Sequence, residues 1–276
     1  GGGIIQDIAA CACALFRRGQ PFIYMPTTTL GQLDSCVGAK CAVNTSLAKN
    51  IVGLFSAPSK VLIPTFMIST MNLLEHRAGL SEMLRLCLTL SDKAVMYYLD
   101  YLKEVSIPDK LNIDIYLKAL KLSLSIKKSV VEFDEYEHDI RRSMNYGHTF
   151  GHAIEKLSNY KIPHGIAVLL GIHISNIFSN SINLMSRQVL NQISIAIKNT
   201  LLGLDIDFSR IISFEPEDVI FQFRFDKKGD GISVPIIMLE KPGKTIFHRF
   251  FFDSNDQKLL LSIKKGLKDF SLWLKI

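Results

Sequence analysis

Hydrophobic and polar positions change their spacing once along this chain. Up to about residue 70, short apolar runs alternate with turn residues. "PFIYMPTTT" reads as a buried strand ended by Pro26 and a threonine turn, and "KVLIPTF" reads as a second buried strand. "IIQDIAACACALFRRG" sets small and apolar residues at helical spacing and closes on two arginines and Gly19. The opening "GGGIIQDIAA" reads as the end of a strand, a tight turn and the start of that helix. A helix between continuously apolar strands predicts a parallel sheet.

After about Met71 the period becomes helical. "LSEMLRLCLTL", "AVMYYLDYLKEV", "DIYLKALKLSLSIKKSVV", "GHTFGHAIEKLS", "HGIAVLLGIHISNIFSNSI" and "SRQVLNQISIAIKNTLLG" all follow it. "ISVPIIMLEKPGKTIFHRFFF" is the exception and reads as a hairpin turning at Lys241-Pro242-Gly243. The expectation is an α/β part over residues 1–70 and a mainly α-helical domain over 71–276. No internal repeat or low-complexity tract interrupts either part.

Composition narrows the function classes. The 276 residues are 48% hydrophobic, enough for one large core or two smaller ones. No charge-free apolar run reaches about eighteen residues, so no membrane span is expected, and no signal-peptide pattern is present. The five cysteines are odd in number and all lie in the first half. That argues against a disulfide framework and points to a reducing cytoplasm. The net charge of +6 is mild and suits either an anionic substrate or plain solubility. The lysines come in pairs such as "IKK" and "DKK", not in a basic run with interleaved aromatics, so no nucleic-acid partner is expected.

Three stretches carry candidate chemistry. In "NYGHTFGHAIE", His148 and His152 lie four apart on one helical face, and His164 follows in "KIPHG". Three such histidines can hold a divalent metal with one position open; the same pattern also fits a polar helix start packed on a loop. Glu82 lies among apolar residues, and spacing alone does not link it to the histidines. In "LDSCVGAKCAVNTSLAKN", Asp34, Lys40, Lys49 and Asn50 punctuate a loop-like stretch of small residues. Lysines near glycines can hold phosphate; a solvated loop looks the same. The opening glycines lead into a helix start, where backbone amides can approach a pyrophosphate. Arg141, Arg142 and Asn145, and the Lys227–Lys228 pair, are smaller clusters that surface charge explains equally well.

Taken together, "GGGIIQD", "RRGQPFIYMPTT", "DSCVGAK", "AKN", "RAGLSE", "RRSMNYGHTFGHAIE" and "HG" occur in the order found in 3-dehydroquinate synthase and its sugar phosphate cyclase relatives. The resemblance runs from Gly1 to about residue 175 and resumes at "DKKGDG". It implies a dehydroquinate synthase-like fold whose α/β part is Rossmann-like and incomplete, because the family's glycine motif follows upstream elements that bind the adenosine side of NAD. A truncated family member is therefore expected.

The implied reaction takes 3-deoxy-D-arabino-heptulosonate 7-phosphate to 3-dehydroquinate and phosphate, with catalytic NAD and a divalent metal, Zn2+ or Co2+. A ring hydroxyl is transiently oxidised, phosphate is eliminated, hydride returns, and ring opening precedes an aldol closure. By resemblance the metal ligands are Glu82, His148 and His164, while His152 handles protons and substrate hydroxyls. Lys40, Asn50, Lys127, Arg141, Asn145 and Lys228, from the Lys227–Lys228 turn, match substrate-binding positions. Arg18 matches an arginine that reaches the phosphate, in some members from the partner subunit. Gly3, Ile4, Ile5, Gln6, Asp7, Thr27, Thr28, Lys40, Lys49, Met67, Ile68, Ser69 and Thr70 correspond to positions at the cofactor. A homodimer is implied as well.

Three departures stand out. Arg85 replaces the family's usual lysine, Ala39 replaces the second glycine of "GGK", and Ile166 replaces an acid beside His164. They leave room for a sister cyclase, of 2-epi-5-epi-valiolone or 2-deoxy-scyllo-inosose synthase type, or for an inactive truncated homologue.

Overall fold

In a computed structural model of the protein, the described residues are 1–43, 52–206, 213–226, 229–254 and 256–273. Helix α1 (Gly3–Leu15) starts directly after an extended Gly2. Strand β1 (Ile23–Tyr24) follows, then a π-helical turn over Gly31–Ser35. Strands β2 (Lys40–Val43) and β3 (Val52–Phe55) pair antiparallel, and β4 (Lys60–Val61) pairs in parallel with β1. A 3-10 segment, Thr65–Thr70, leads into the helices.

Those helices are α2 (Leu73–Leu90), α3 (Asp92–Val105), α4 (Ile113–Phe133), α5 (His148–Leu157), α6 (His164–Ser181) and α7 (Arg187–Leu201). A short α8 (Pro216–Gln222), the hairpin β5 (Ser233–Lys241) and β6 (Lys244–Phe251), and α9 (Gln257–Trp273) complete the order. Five helices start on side-chain caps among the described residues, the last on Asp256, which accepts from the Leu259 amide. Asn72, Ser91, Asn112 and Ser186 accept from the amides of Glu75, Ala94, Ile115 and Val189. Each satisfies an amide that would otherwise lack a partner at the helix start.

Helix α6 is apolar on nearly every side and is buried from Gly165 to Ser179. A helix hydrophobic all round belongs in the centre, and α2, α5, α7, α9 and β5 pack around it. Two glycines allow this closeness. A Cβ at Gly165 would lie 1.9 Å from the Ala78 carbonyl oxygen, and one at Gly171 would lie 2.0 Å from that of Gly147. Thus α6 touches both α2 and the chain entering α5 at backbone distance, which brings three candidate site segments together.

The helical expectations after Met71 and the hairpin agree with this architecture. The hairpin turns at Pro242-Gly243, where Gly243 has φ 84°. The parallel relation expected in the α/β part is also found, but its strands are far shorter. "PFIYMPTTT" pairs only through Ile23 and Tyr24, and Ile23 is exposed. Pro21 and Pro26 bracket this pair and have no N–H to extend the ladder. The stretch read as a loop around "DSCVGAKCAV" instead forms the π-helical turn and β2. Among the described residues no helix is long and apolar enough to cross a membrane. All five cysteines are free.

Candidate active site

Gly147, at φ 80°, turns the chain into α5 so that His148 begins the helix. His152 follows one turn later on the same face. Pro163 ends the intervening turn, and His164 opens α6 against them. One ligand atom from each of His148, His152 and His164 lies within 4.8 Å of the others. His148 Nδ1 donates to the Tyr146 carbonyl at 3.4 Å, and His164 Nδ1 meets Glu155 Oε2 at 2.9 Å. In both rings this directs Nε2 away from the helix contacts.

Glu82 reaches the cluster from α2. Its Oε1 lies 3.6 Å from His164 Nε2 and has no hydrogen-bond partner, although the residue is 1% exposed. A buried carboxylate oxygen without a donor is costly. Glu82 joins the three-histidine group only through His164, and imidazole nitrogens with a carboxylate beside one of them form a donor set suited to zinc or cobalt. The residues present fit a divalent metal.

The other Glu82 oxygen is occupied. Arg85 Nε donates to Oε2 at 2.6 Å, Arg85 Nη2 to Asp34 Oδ2 at 3.1 Å, and Nη1 to the Met144 carbonyl. The fork of arginine thus joins three segments, where a lysine would present one ammonium. Lys127 Nζ adds a 2.6 Å ion pair to Asp34 Oδ1. Burial works against ionising Asp34, but Lys127 and Arg85 together outweigh it and hold the carboxyl well below its usual range.

Beside this network lies an open cavity of about 550 Å³. Lys40, Lys127 and Arg141 line it with Asp7, Asp34, Glu137 and His164. Glu137 pairs with Lys40 and accepts from Asn145 Nδ2 at 2.5 Å. Arg141 Nη2 donates to the Gly38 carbonyl at 2.8 Å. Three cations converge from β2, α4 and the 3-10 segment before α5, and Asp7, Asp34 and Glu137 oppose them, so charge of both signs lines the cavity.

The structure therefore brings together Lys40, Lys127, Arg141, Asn145, Glu82, His148, His152 and His164. Arg18 is exposed just past α1 and is not among the cavity's lining residues. Gly3, Ile4, Ile5, Gln6 and Asp7 form the first turns of α1, and only Asp7 reaches the cavity. Thr27 donates its amide to Gly1, and Thr28 Oγ1 accepts from Gly31. In the 3-10 segment holding Met67, Ser69 and Thr70 are exposed, whereas Ile68 is fully buried in the main core. Lys49, Asn50, Lys227 and Lys228 lie outside the described residues.

Family models for the 3-dehydroquinate synthase N-terminal and C-terminal regions match residues 1–78 and 79–229. The chain belongs to the 3-dehydroquinate synthase family. A 3-dehydroquinate synthase from Campylobacter concisus is 36% identical over 248 residues, covering 89% of this chain and 68% of that protein. One from Helicobacter hepaticus is 33% identical over 239 residues, covering 86% and 65%. One from Ruminiclostridium cellulolyticum is 36% identical over 271 residues, covering 98% and 71%. The match thus spans about two thirds of the length of these relatives.

Two solved structures share the fold. A 2-deoxy-scyllo-inosose synthase complexed with carbaglucose-6-phosphate, NAD+ and Co2+ is 25% identical, with a TM-score of 0.83, covering 96% of this chain and 72% of that one. A 2-epi-5-epi-valiolone synthase from Streptomyces hygroscopicus with NAD+ and Zn2+ bound is 22% identical, with a TM-score of 0.82, covering 98% and 72%.

Two site residues escaped the sequence reading. Glu137 sits in the irregular link after α4, at φ 62°, where no periodicity marks it. Glu155 had a signal: it follows His148 by seven and His152 by three, so it shares their face of α5.

Proposed function

We propose that this chain carries the chemistry of 3-dehydroquinate synthase, converting 3-deoxy-D-arabino-heptulosonate 7-phosphate to 3-dehydroquinate and phosphate. The observation that supports it best is the cavity, where Lys40, Lys127 and Arg141 face a carboxylate–histidine cluster. Lys40 and Lys127 would hold the phosphate as point charges, and Arg141 would grip the substrate carboxylate with its fork. Glu82, His148 and His164 would hold the metal. His152, beside them, would exchange a proton with a substrate hydroxyl. The glycine turn and the N-terminus of α1, which has no capping side chain, favour the cofactor's pyrophosphate. When bound, NAD would supply reversible hydride transfer and the metal would polarise the substrate's oxygens.

In this reading residues 1–70 serve the cofactor, with Lys40 also reaching the substrate, and residues 71–276 serve metal and substrate. A homodimer belongs to the same proposal by family resemblance, and a cytoplasmic location by the cysteine usage. The test is phosphate release from the heptulosonate phosphate with NAD and zinc. Release that falls at least tenfold in Arg141→Met is expected. Folded protein with both zinc and NAD bound that releases no phosphate would sink the reading. Turnover of sedoheptulose 7-phosphate or glucose 6-phosphate instead would move it to a sister cyclase.

A further inference from the structure

We infer that Glu155 is a positioning residue for His164. It accepts the Nδ1 proton, holds the imidazole in one tautomer, and leaves the Nε2 lone pair facing Glu82. The inference rests on the proposed metal site but concerns this chain's own hydrogen bonding. Glu155 is 3% exposed, and its Oε2 lies 2.9 Å from His164 Nδ1. On the other side of the ring, Nε2 is 3.6 Å from the unpartnered Oε1 of Glu82. The ring is thus set between two buried carboxylates with different tasks: one accepts its proton, the other stands where a ligand would.

The geometry is rigidly built. Glu155 shares its face of α5 with His148 and His152. Helix α5 is pressed on α6 at Gly151, where a Cβ would lie 3.0 Å from Val168 Cα. Residue 166, the position at which an acid was expected next to His164, is a fully buried isoleucine in the main core. The acid that accepts from His164 Nδ1 comes from α5. His148 has an equivalent arrangement with a different acceptor, since its Nδ1 donates to the Tyr146 carbonyl. Acceptors behind ligand histidines fix tautomer and ring orientation, and losing one typically lowers metal affinity ~10–100-fold.

The experiment joins two readouts. Nitrogen-15 NMR of the metal-free protein at mildly alkaline pH should show His164 protonated on Nδ1. A His164 protonated on Nε2 in the wild type would overturn the inference before any variant is made. Zinc affinity is then measured by chelator competition for the wild type, Glu155→Gln and Glu155→Leu. Glutamine keeps an acceptor oxygen, so the Nδ1 tautomer and most of the affinity should survive. Leucine should lose both, with affinity down about 10–100-fold. Wild-type affinity and an unchanged tautomer in folded Glu155→Leu would refute the role. If the wild type binds no zinc, the metal reading fails while the tautomer result still stands or falls by itself.

Discussion

In residues 1–70 the separate buried cluster consists of Ala10, Cys11, Tyr24 and Cys41, whereas α6 alone buries every residue from Gly165 to Ser179. The first region leaves Ile4 74% exposed, Leu15 73% and Phe66 73%. Its strands β1 and β4 are two residues each. The helical region holds itself by apolar burial. The first region is held to it by Leu33 and Ile68, which enter the main core, and by polar ties. Thr29 Oγ1 bonds His76 at 2.7 Å, Tyr116 donates to Gln32 at 3.0 Å, and Ser123 donates to the Leu33 carbonyl at 2.6 Å. Arg85 and Lys127 both grip Asp34. These ties are directional and cluster at the seam, which is where the cavity lies. A site there gains cations from both sides and depends on the seam staying closed.

The sharpest way to break this picture is to cut the seam at its charged tie. Asp34→Ala removes the carboxylate from Lys127, leaving it the residue-34 carbonyl, and takes one partner from Arg85. Breaking a buried pair in this way costs about 3–5 kcal/mol. Urea unfolding should report the loss, and amide exchange should rise first in residues 29–36. A variant as stable as the wild type would show that burial alone joins the regions.

The neutral tie at His76 should act through pH. Its Nε2 donates to the Val105 carbonyl at 2.6 Å, and its Nδ1 accepts from Thr29. Burial pushes its pKa down from 6.5 to about 4. As pH falls through 6.5 the unfolded chain takes the proton first. Stability is therefore complete above pH 6.5 and declines toward pH 4, by about 2–3 kcal/mol from this group. Urea unfolding at neutral and acidic pH, compared between the wild type and His76→Asn, isolates that slope. Equal slopes would remove His76 from the account.

The smallest expected effect sharpens the comparison from the other side. Ala39 has φ 56°, the left-handed region in which a glycine is at ease. Ala39→Gly should stabilise the protein by about 1 kcal/mol. A thermal melt that shifts upward would confirm strain beside Lys40; a downward shift would show that the loop has adapted to alanine.

Legibility followed the same divide. The helices after Met71 were readable because a 3.6-residue period is a local property. The hairpin was readable because its Pro242-Gly243 turn is local too. His148 and His152 followed from the same arithmetic, and so would Glu155 have done, three residues on. By spacing Lys40 was an open phosphate candidate, Arg141 read as surface charge and Lys127 did not stand out; family resemblance, not spacing, grouped them. Strand lengths in the first region were overestimated because pairing depends on partners distant in sequence, and prolines limited it. Glu137 left no trace, since an irregular link has no period to read.

By itself, the sequence determined the helical region, the hairpin, the absence of a disulfide framework and the facing pair His148 and His152. All of these depend on residues near one another in the chain or on composition. The tertiary structure decided that Glu82 and Glu155 flank His164, that Arg85 joins Glu82 to Asp34, and that the cations of three segments share one cavity. These contacts join side chains up to a hundred residues apart. They form only when the glycine-lined surfaces of α5 and α6 close and the buried charges find their partners, because isolated charges are too costly to bury.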